Sequence, residues 1–285
     1  RYFSPSISLR ADITESLSFA LIWDEHVGAN VNYDANTGYV AAGSTATLDG
    51  QALTALLRYE LTSNVSVYGG VRVSTVEGNL QYGPSPFLGP LRNYGLSADG
   101  GTELGYVVGA AYEMPEIALR VALTYNSEIE HSFSGTSTAG ATTFGTTIPE
   151  SWMLEAQSGI AENTLLFGSI RWVDWSVFNI NPSTNPAAPA PLVSYANDTV
   201  TYSAGVGRRF TDNWSGAVTV LHEPQVGGNA SNLGPTDGRT ALGVGLTWEN
   251  EQYQVTGGVQ YSWLDDTTTS LGNFTDSSAV AAGLR

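Results

Sequence analysis

Tyr253-Gln254-Val255-Thr256-Gly257-Gly258-Val259-Gln260-Tyr261-Ser262-Trp263 decides the fold class of this 285-residue chain. A strand sends successive side chains to opposite faces. One face here reads Tyr253, Val255, Gly257, Val259, Tyr261, Trp263, and the other reads Gln254, Thr256, Gly258, Gln260, Ser262. An aliphatic row with aromatics at both ends suits a strand that crosses a bilayer between two interfaces, and a row of small polar residues suits a crowded or water-filled lumen. A soluble sandwich would also alternate, but it would carry charges on its wet face. The same layout recurs at 104–114, where Leu104, Tyr106, Val108, Ala110, Tyr112 and Met114 share a face, and at 241–248, where Leu242, Val244, Leu246 and Trp248 do.

Composition agrees with this reading. Hydrophobic residues make up 42% of the chain and charged residues only 13%, too apolar for disorder and too poor in charge for a typical soluble enzyme. All basic residues are Arg, and the net charge of −16 argues against nucleic-acid binding through a basic surface. Cysteine is absent, which excludes disulfides, thiolate metal sites and a Cys nucleophile. No apolar run is long enough for a spanning helix, and the N-terminal residues have no signal-peptide pattern.

Outer-membrane barrels join strands by short turns at one end and long loops at the other. Short turns are expected around 11–16, 62–64, 115–116, 159–163, 211–213 and 249–252. Long polar or Gly/Pro-rich segments lie near 25–50, 78–101, 132–147, 177–198, 225–238 and 265–276, so short and long connections alternate throughout. The expected architecture is all-β: a single transmembrane antiparallel β-barrel domain over 1–285. Its thirteen strands are near 5–10, 17–24, 52–61, 65–77, 102–114, 117–131, 148–158, 164–177, 199–210, 214–223, 239–248, 253–264 and 277–285. With an odd count the first and last strands run the same way, so one more ascending strand, fourteen in all, is expected before residue 1.

Several segments resemble the FadL-type long-chain fatty acid and hydrocarbon transporters of Gram-negative outer membranes. Ala122-Leu123-Thr124-Tyr125-Asn126-Ser127-Glu128 with Phe133-Ser134-Gly135 resembles one strand and its exit, and Pro149-Glu150-Ser151-Trp152 the opening of the next. Trp172, Trp175, Ser176 and Phe178 resemble the end of the strand after that, and Asp212-Asn213-Trp214 a periplasmic turn. The order holds over nearly the whole chain. The resemblance implies a 14-stranded barrel plugged by an N-terminal hatch, with residue 1 falling after the hatch and the first strand. The hatch letters Asn-Pro-Ala also occur at Asn185-Pro186-Ala187, but within a Pro-rich loop where turn chemistry accounts for them.

Alternation puts Arg58, Arg72, Arg120, Arg171 and Arg209 on the luminal face. A guanidinium suits a fatty-acid carboxylate because it donates two parallel hydrogen bonds. The competing reading is a structural ladder with Glu60, Glu113, Glu155 and Glu223. Arg72, Arg120 and Arg171, placed mid-strand, are the ligand candidates, whereas Arg58 and Arg209 lie near short turns with acids at hand. Segment 78–101 is rich in apolar residues for a wet loop: Leu80, Tyr82, Phe87, Leu88, Leu91 and Tyr94 are its binding candidates. The resemblance implies a greasy landing groove there, while packing as a small core over the barrel mouth is the alternative.

Catalysis has little support. His26, His131 and His222 sit near strand ends, and adjacent His222 and Glu223 point to opposite faces. The chain has neither a Gly-x-Ser-x-Gly elbow nor zinc-type His spacing. No catalytic residue, metal or cofactor is expected. The expected function is passive uptake of hydrophobic or amphipathic molecules, long-chain fatty acids foremost; the alternative is a structural or interaction barrel within a larger membrane assembly. Expected partners are the hydrophobic small molecule, outer membrane lipids and lipopolysaccharide, with no nucleic acid and a monomeric state.

Overall fold

The computed structural model describes residues 2–228 and 230–285. Arg1 and, within the 225–238 segment, Asn229 lie outside the described residues. The strands are β1 (Ser6–Asp12), β2 (Leu17–Asn32), β3 (Thr45–Glu60), β4 (Val65–Gln81), β5 (Gly95–Met114), β6 (Leu119–Asn126), β7 (Ile129–Ser137), β8 (Gly140–Ile148), β9 (Ser151–Ala161) and β10 (Thr164–Val173). They continue as β11 (Asn179–Ile180), β12 (Val193–Ser194), β13 (Thr199–Arg209), β14 (Trp214–Glu223), β15 (Arg239–Glu249), β16 (Gln254–Leu264), β17 (Thr267–Thr269), β18 (Gly272–Phe274) and β19 (Ser278–Leu284). The wall is an antiparallel meander in the order β1-β2-β3-β4-β5-β6-β9-β10-β13-β14-β15-β16-β19. Its path holds the thirteen strands that alternation identified. Among the described residues β1 and β19 each have one neighbour, and both run away from the long-loop end.

Register carries the alternation across the sheet. Leu166, Val206, Val218, Val244 and Val259 are direct cross-strand neighbours from β10 to β16, and each is 44–54% exposed. This row faces lipid. The row behind it, one residue along, reads Phe167, Gly205, Thr219, Gly243 and Gln260. Hydroxyls pair along such luminal rows, Ser169 with Ser203 at 2.8 Å and Thr247 with Thr256 at 2.8 Å. Glycines let aromatics lie against the wall: a Cβ on Gly109 would collide with the Tyr68 ring, whose hydroxyl meets Thr124 Oγ1 at 2.5 Å. On the lipid face Tyr125 packs on Trp152 and Tyr106, beside the cross-strand pair Trp152 and Trp172, forming the girdle on the long-loop side. Trp214 and Trp248 pair at the short-turn side.

Three segments differ from their sequence-based bounds. First, β2, β3, β4 and β5 rise well above the girdle, so 25–50 and 78–101 are loops only at 33–44 and 82–94. Alternation continues there because Val76, Leu80, Leu96 and Ala98 turn inward to a core instead of a lumen. Second, the strand expected over 117–131 breaks after Asn126. Ser127 accounts for the break: its Oγ accepts the Tyr106 N–H (2.9 Å) and its own N–H donates to the Tyr106 carbonyl (3.0 Å). Third, 132–147 is an ordered hairpin, β7–β8, and not an open loop.

The main apolar core of the molecule lies above the barrel and not inside it. Ala41, Val76, Leu80, Tyr82, Leu88, Tyr94, Leu96, Ile129, Phe133, Ile148, Phe178, Leu192 and Leu233 are all buried together there. They come from five of the six long connections, a cap over the mouth. Hydrogen bonds join those connections: Tyr33 Oη donates to the Asn232 carbonyl (2.5 Å), Thr146 Oγ1 to the Asn179 carbonyl (2.9 Å), and Tyr94 Oη meets Thr184 Oγ1 (3.2 Å).

Candidate transport site

The cap holds a partly open apolar chamber of about 130 Å³. Its walls are the inward faces of β2 to β5 (Val27, Leu48, Val76, Leu80, Leu96), the hairpin (Phe133, Phe144, Ile148) and the 173–195 connection (Trp175, Phe178, Ile180, Leu192, Tyr195). Beside it lies a polar cleft of about 290 Å³ lined by Arg171, Thr201, Glu223, Asp237 and Arg239. Trp175 and Tyr195 belong to both walls, so the two spaces are adjacent. Desolvation, reinforced by the Tyr39 and Tyr94 phenols, pushes the Tyr82 phenol up to about 12, and burial raises Tyr195 as well. Both phenols therefore stay neutral at neutral pH.

Of the residues picked out in 78–101, Leu80, Tyr82, Leu88 and Tyr94 are buried in the cap and Leu91 packs against it. Only Phe87 faces solvent, 82% exposed at the tip of the 3-10 turn Pro86–Leu91. The segment thus contributes chamber wall and cap, and leaves the Phe87 ring exposed. Asn185 stitches its own loop: its Oδ1 accepts the Ala187 N–H (2.9 Å) and its Nδ2 donates to the Ala190 carbonyl (2.8 Å).

The luminal arginines divide by partner. Arg58 pairs with Glu60 (2.9 Å) and Glu113 (3.1 Å), Arg120 with Glu113 (3.1 Å), and Arg209 with Glu249 (2.9 Å), all near the short-turn end. Arg120 is the second residue of β6 and not mid-strand, because β6 starts at Leu119. Arg72 and Arg171 differ: among the described residues neither forms an ion pair. Arg72 Nε donates to Thr54 Oγ1 (3.0 Å), and the Arg171 guanidinium has no hydrogen-bond partner among the described residues. Glu223, on the cleft wall, accepts from Thr201 Oγ1 (2.6 Å) and stands 3.9 Å from Arg239. Glu155 joins no ion pair among the described residues. His222 turns away from Glu223 and meets Thr240 Oγ1 (3.0 Å).

Sequence reasoning missed the residues from the other connections. Phe144, Phe178, Ile180, Leu192 and Tyr195 line the chamber, and the signal that could have found them is the same one read in 78–101, an apolar residue count too high for a wet loop.

The partner assignments give a direct expectation. Arg120→Gln should leave ligand affinity within about twofold and cost the barrel no more than about 1 kcal/mol, since Arg120 serves a half-exposed ion pair. Binding titration and the heat-modifiable gel shift measure the two; a tenfold loss of affinity would put Arg120 in the ligand path.

Comparison with known proteins fits this architecture. The family model described as outer membrane protein transport protein (OMPP1/FadL/TodX) matches residues 3–283. No curated protein matches the sequence. Among solved structures, a Pseudomonas aeruginosa FadL homologue superposes with a TM-score of 0.75 at 14% identity, over 98% of this chain and 75% of the homologue. The Pseudomonas putida toluene transporter TodX gives 0.69 at 12% identity, over 99% of this chain and 81% of TodX. The Ralstonia pickettii toluene transporter TbuX gives 0.67 at 13% identity, over 100% and 81%. A wall with one lipid face, an apolar chamber under a cap, and a family match over almost the whole length make this chain a member of the OMPP1/FadL/TodX family, a transporter of hydrophobic compounds in the outer membrane.

Proposed function

We propose that the chain takes up long-chain fatty acids or similar amphipathic carboxylates, with the apolar chain in the capped chamber and the carboxylate at Arg171. The observation that carries this reading is the shared Trp175 and Tyr195 wall, which sets an apolar space next to a cleft headed by an unpaired guanidinium. Each CH₂ moved from water into the chamber contributes about 0.8 kcal/mol. The carboxylate adds direction, because it must stop at the cleft. Thr201 holds Glu223 by a hydrogen bond, and Arg239 stands beside it, which keeps that acid occupied and Arg171 open to an anion.

A second reading has its own support. The chamber alone, about 130 Å³, is close to the roughly 150 Å³ of an engineered apolar cavity that stays dry and binds benzene. A neutral single-ring hydrocarbon would fill it without using Arg171.

Arg171→Gln separates the two. A charge-assisted hydrogen bond contributes roughly 1.5–3 kcal/mol, so fatty-acid affinity should fall about tenfold to a hundredfold. Affinity for a neutral aromatic should hold. Titration of the purified protein in detergent, beside native mass spectrometry of whatever co-purifies, makes the measurement. Fatty-acid affinity unchanged by the substitution would defeat the carboxylate reading.

A further inference from the structure

Where β5 meets the broken strand β6–β7, the wall is held by side chains and not by a ladder. β5 pairs with β6 from Val107 downward and with β7 only from Asp99 upward. Between them Gly100 and Gly101 form a bulge opposite Val76, Gly101 with φ +68. A second bulge lies two strands away, where His26 is the extra residue between the Glu25–Gln51 and Val27–Gly50 pairs. The two irregularities meet at one hydroxyl. Ser74 Oγ lies 3.0 Å from His26 Nε2 and 3.0 Å from His131 Nε2, and His131 Nδ1 lies 3.1 Å from the Gly100 carbonyl. Ser74 and His131 are buried, at 0% and 1% exposure.

Donor and acceptor rules fix the direction of this chain. A carbonyl only accepts, so His131 carries its proton on Nδ1 and offers a lone pair at Nε2. Ser74 donates its single hydroxyl proton to that lone pair. Its oxygen then accepts from His26 Nε2–H, which leaves His26 Nδ1 as a bare acceptor, a buried atom with no partner among the described residues. Both rings are neutral in this arrangement. A proton added to His131 Nε2 turns both rings into donors toward one oxygen and strands the Ser74 hydroxyl proton without an acceptor.

We propose that His26, Ser74 and His131 form a proton-sensitive latch that holds the β7–β8 hairpin against β4 and so closes the side of the chamber. The hairpin contributes Phe133, Phe144 and Ile148 to the chamber wall, so its release opens a path into the chamber at the unpaired stretch of β5. Other ionisable groups face the latch. Asp24 and Glu103 stand in the cross-strand row of Ser74, Glu25 is the neighbour of His26, and Arg72 lies on β4 two residues before Ser74. None of them hydrogen-bonds either ring among the described residues; burial and Arg72 oppose a charge on His26, and Glu25 favours it. The latch is independent of which hydrophobic compound is carried.

The chain contains no cysteine, so one nitroxide can be placed at Ala139→Cys, an exposed position at the hairpin turn, in the full-length protein in lipid nanodiscs. The spectrum should be immobilised at pH 8 and become mobile as the pH is lowered. Ser74→Ala should be mobile at both pH values, and His131→Phe should lose the pH response. A wild-type spectrum unchanged from pH 8 to pH 5, or a Ser74→Ala spectrum as immobile as wild type at pH 8, overturns the proposal. Heat-modifiable migration on gels confirms that each variant has a folded barrel, and the wild-type titration decides alone if a variant does not.

Discussion

Phe133→Ala is expected to open the cap while the barrel beneath it stays folded. Phe133 is 4% exposed, and its ring stacks on Phe144 with centroids 4.8 Å apart and an interplanar angle of 8°. It also lies flush against β5, where a Cβ on Gly100 would come within 2.7 Å of the ring tip, so no side chain there can refill the space. Removing a buried Phe costs about 3–5 kcal/mol. The loss falls on a subglobal unit, because the cap residues contact one another across the loops while the lipid-facing rows make no use of them. Amide exchange in β7 and β8 should therefore speed up by a factor of a hundred or more on the scale of about tenfold per 1.4 kcal/mol. Limited proteolysis should begin to cut at 82–94 and 174–198. Unaltered protection of β7 and β8 would mean that the hairpin is held by something other than this core.

The contrast between cap and barrel also explains what a linear reading reaches. Alternation is a local property: Gln254 to Leu264 shows both faces of its strand without reference to any neighbour, and the register then aligns like with like from β10 to β16. The thirteen wall strands, the short turns and the lipid face were legible for that reason. The cap is different because its core is assembled from residues nearly two hundred positions apart, as in the bond from Tyr33 to Asn232. Leu80 and Leu192 each look like an isolated apolar residue near a loop until the fold brings them together. Bulges defeat parity as well. His26 keeps the inward face of Asp24, but the extra residue turns Val27 inward as well, and nothing in its neighbours announces the shift. Arg120 shows a third limit: its face was readable, but its partner Glu113 lies directly opposite across the β5–β6 turn, and only the register of that hairpin shows the pairing.

The arginines illustrate how the site depends on placement along one face. All five occupy luminal positions, yet the short-turn end supplies Glu60, Glu113 and Glu249 to three of them. Arg72 and Arg171 stand higher, where Asp24 and Glu223 are near but form no ion pair with them among the described residues. A luminal cation without an ion-pair partner costs stability unless water or an anion meets it, which is why the proposed carboxylate site is placed at Arg171 and not in the lower lumen.

Val244→Arg should destabilise the barrel by about 2–4 kcal/mol, the cost of a basic residue at the bilayer midplane on the lipid face of an outer-membrane strand. Val244 lies at the middle of β15, and its cross-strand neighbours on the same face are Val218 and Val259, 50% and 54% exposed. Leu242 and Leu246 flank it along the strand, so a guanidinium there must reach past an aliphatic row on every side before it meets a headgroup. The adjacent position is the control. Gly243 faces the lumen beside Thr219 and Gln260, whose atoms would lie no closer than 3.8 Å to an added Cβ. Gly243→Ser should be tolerated within about 1 kcal/mol, because a hydroxyl fits the polar row and the backbone there is ordinary extended strand. Urea unfolding from lipid vesicles, followed by tryptophan fluorescence, measures both. Equal stability losses at 243 and 244 would remove the distinction between a lipid face and a lumen on which the assignment of this sheet to the outer membrane rests.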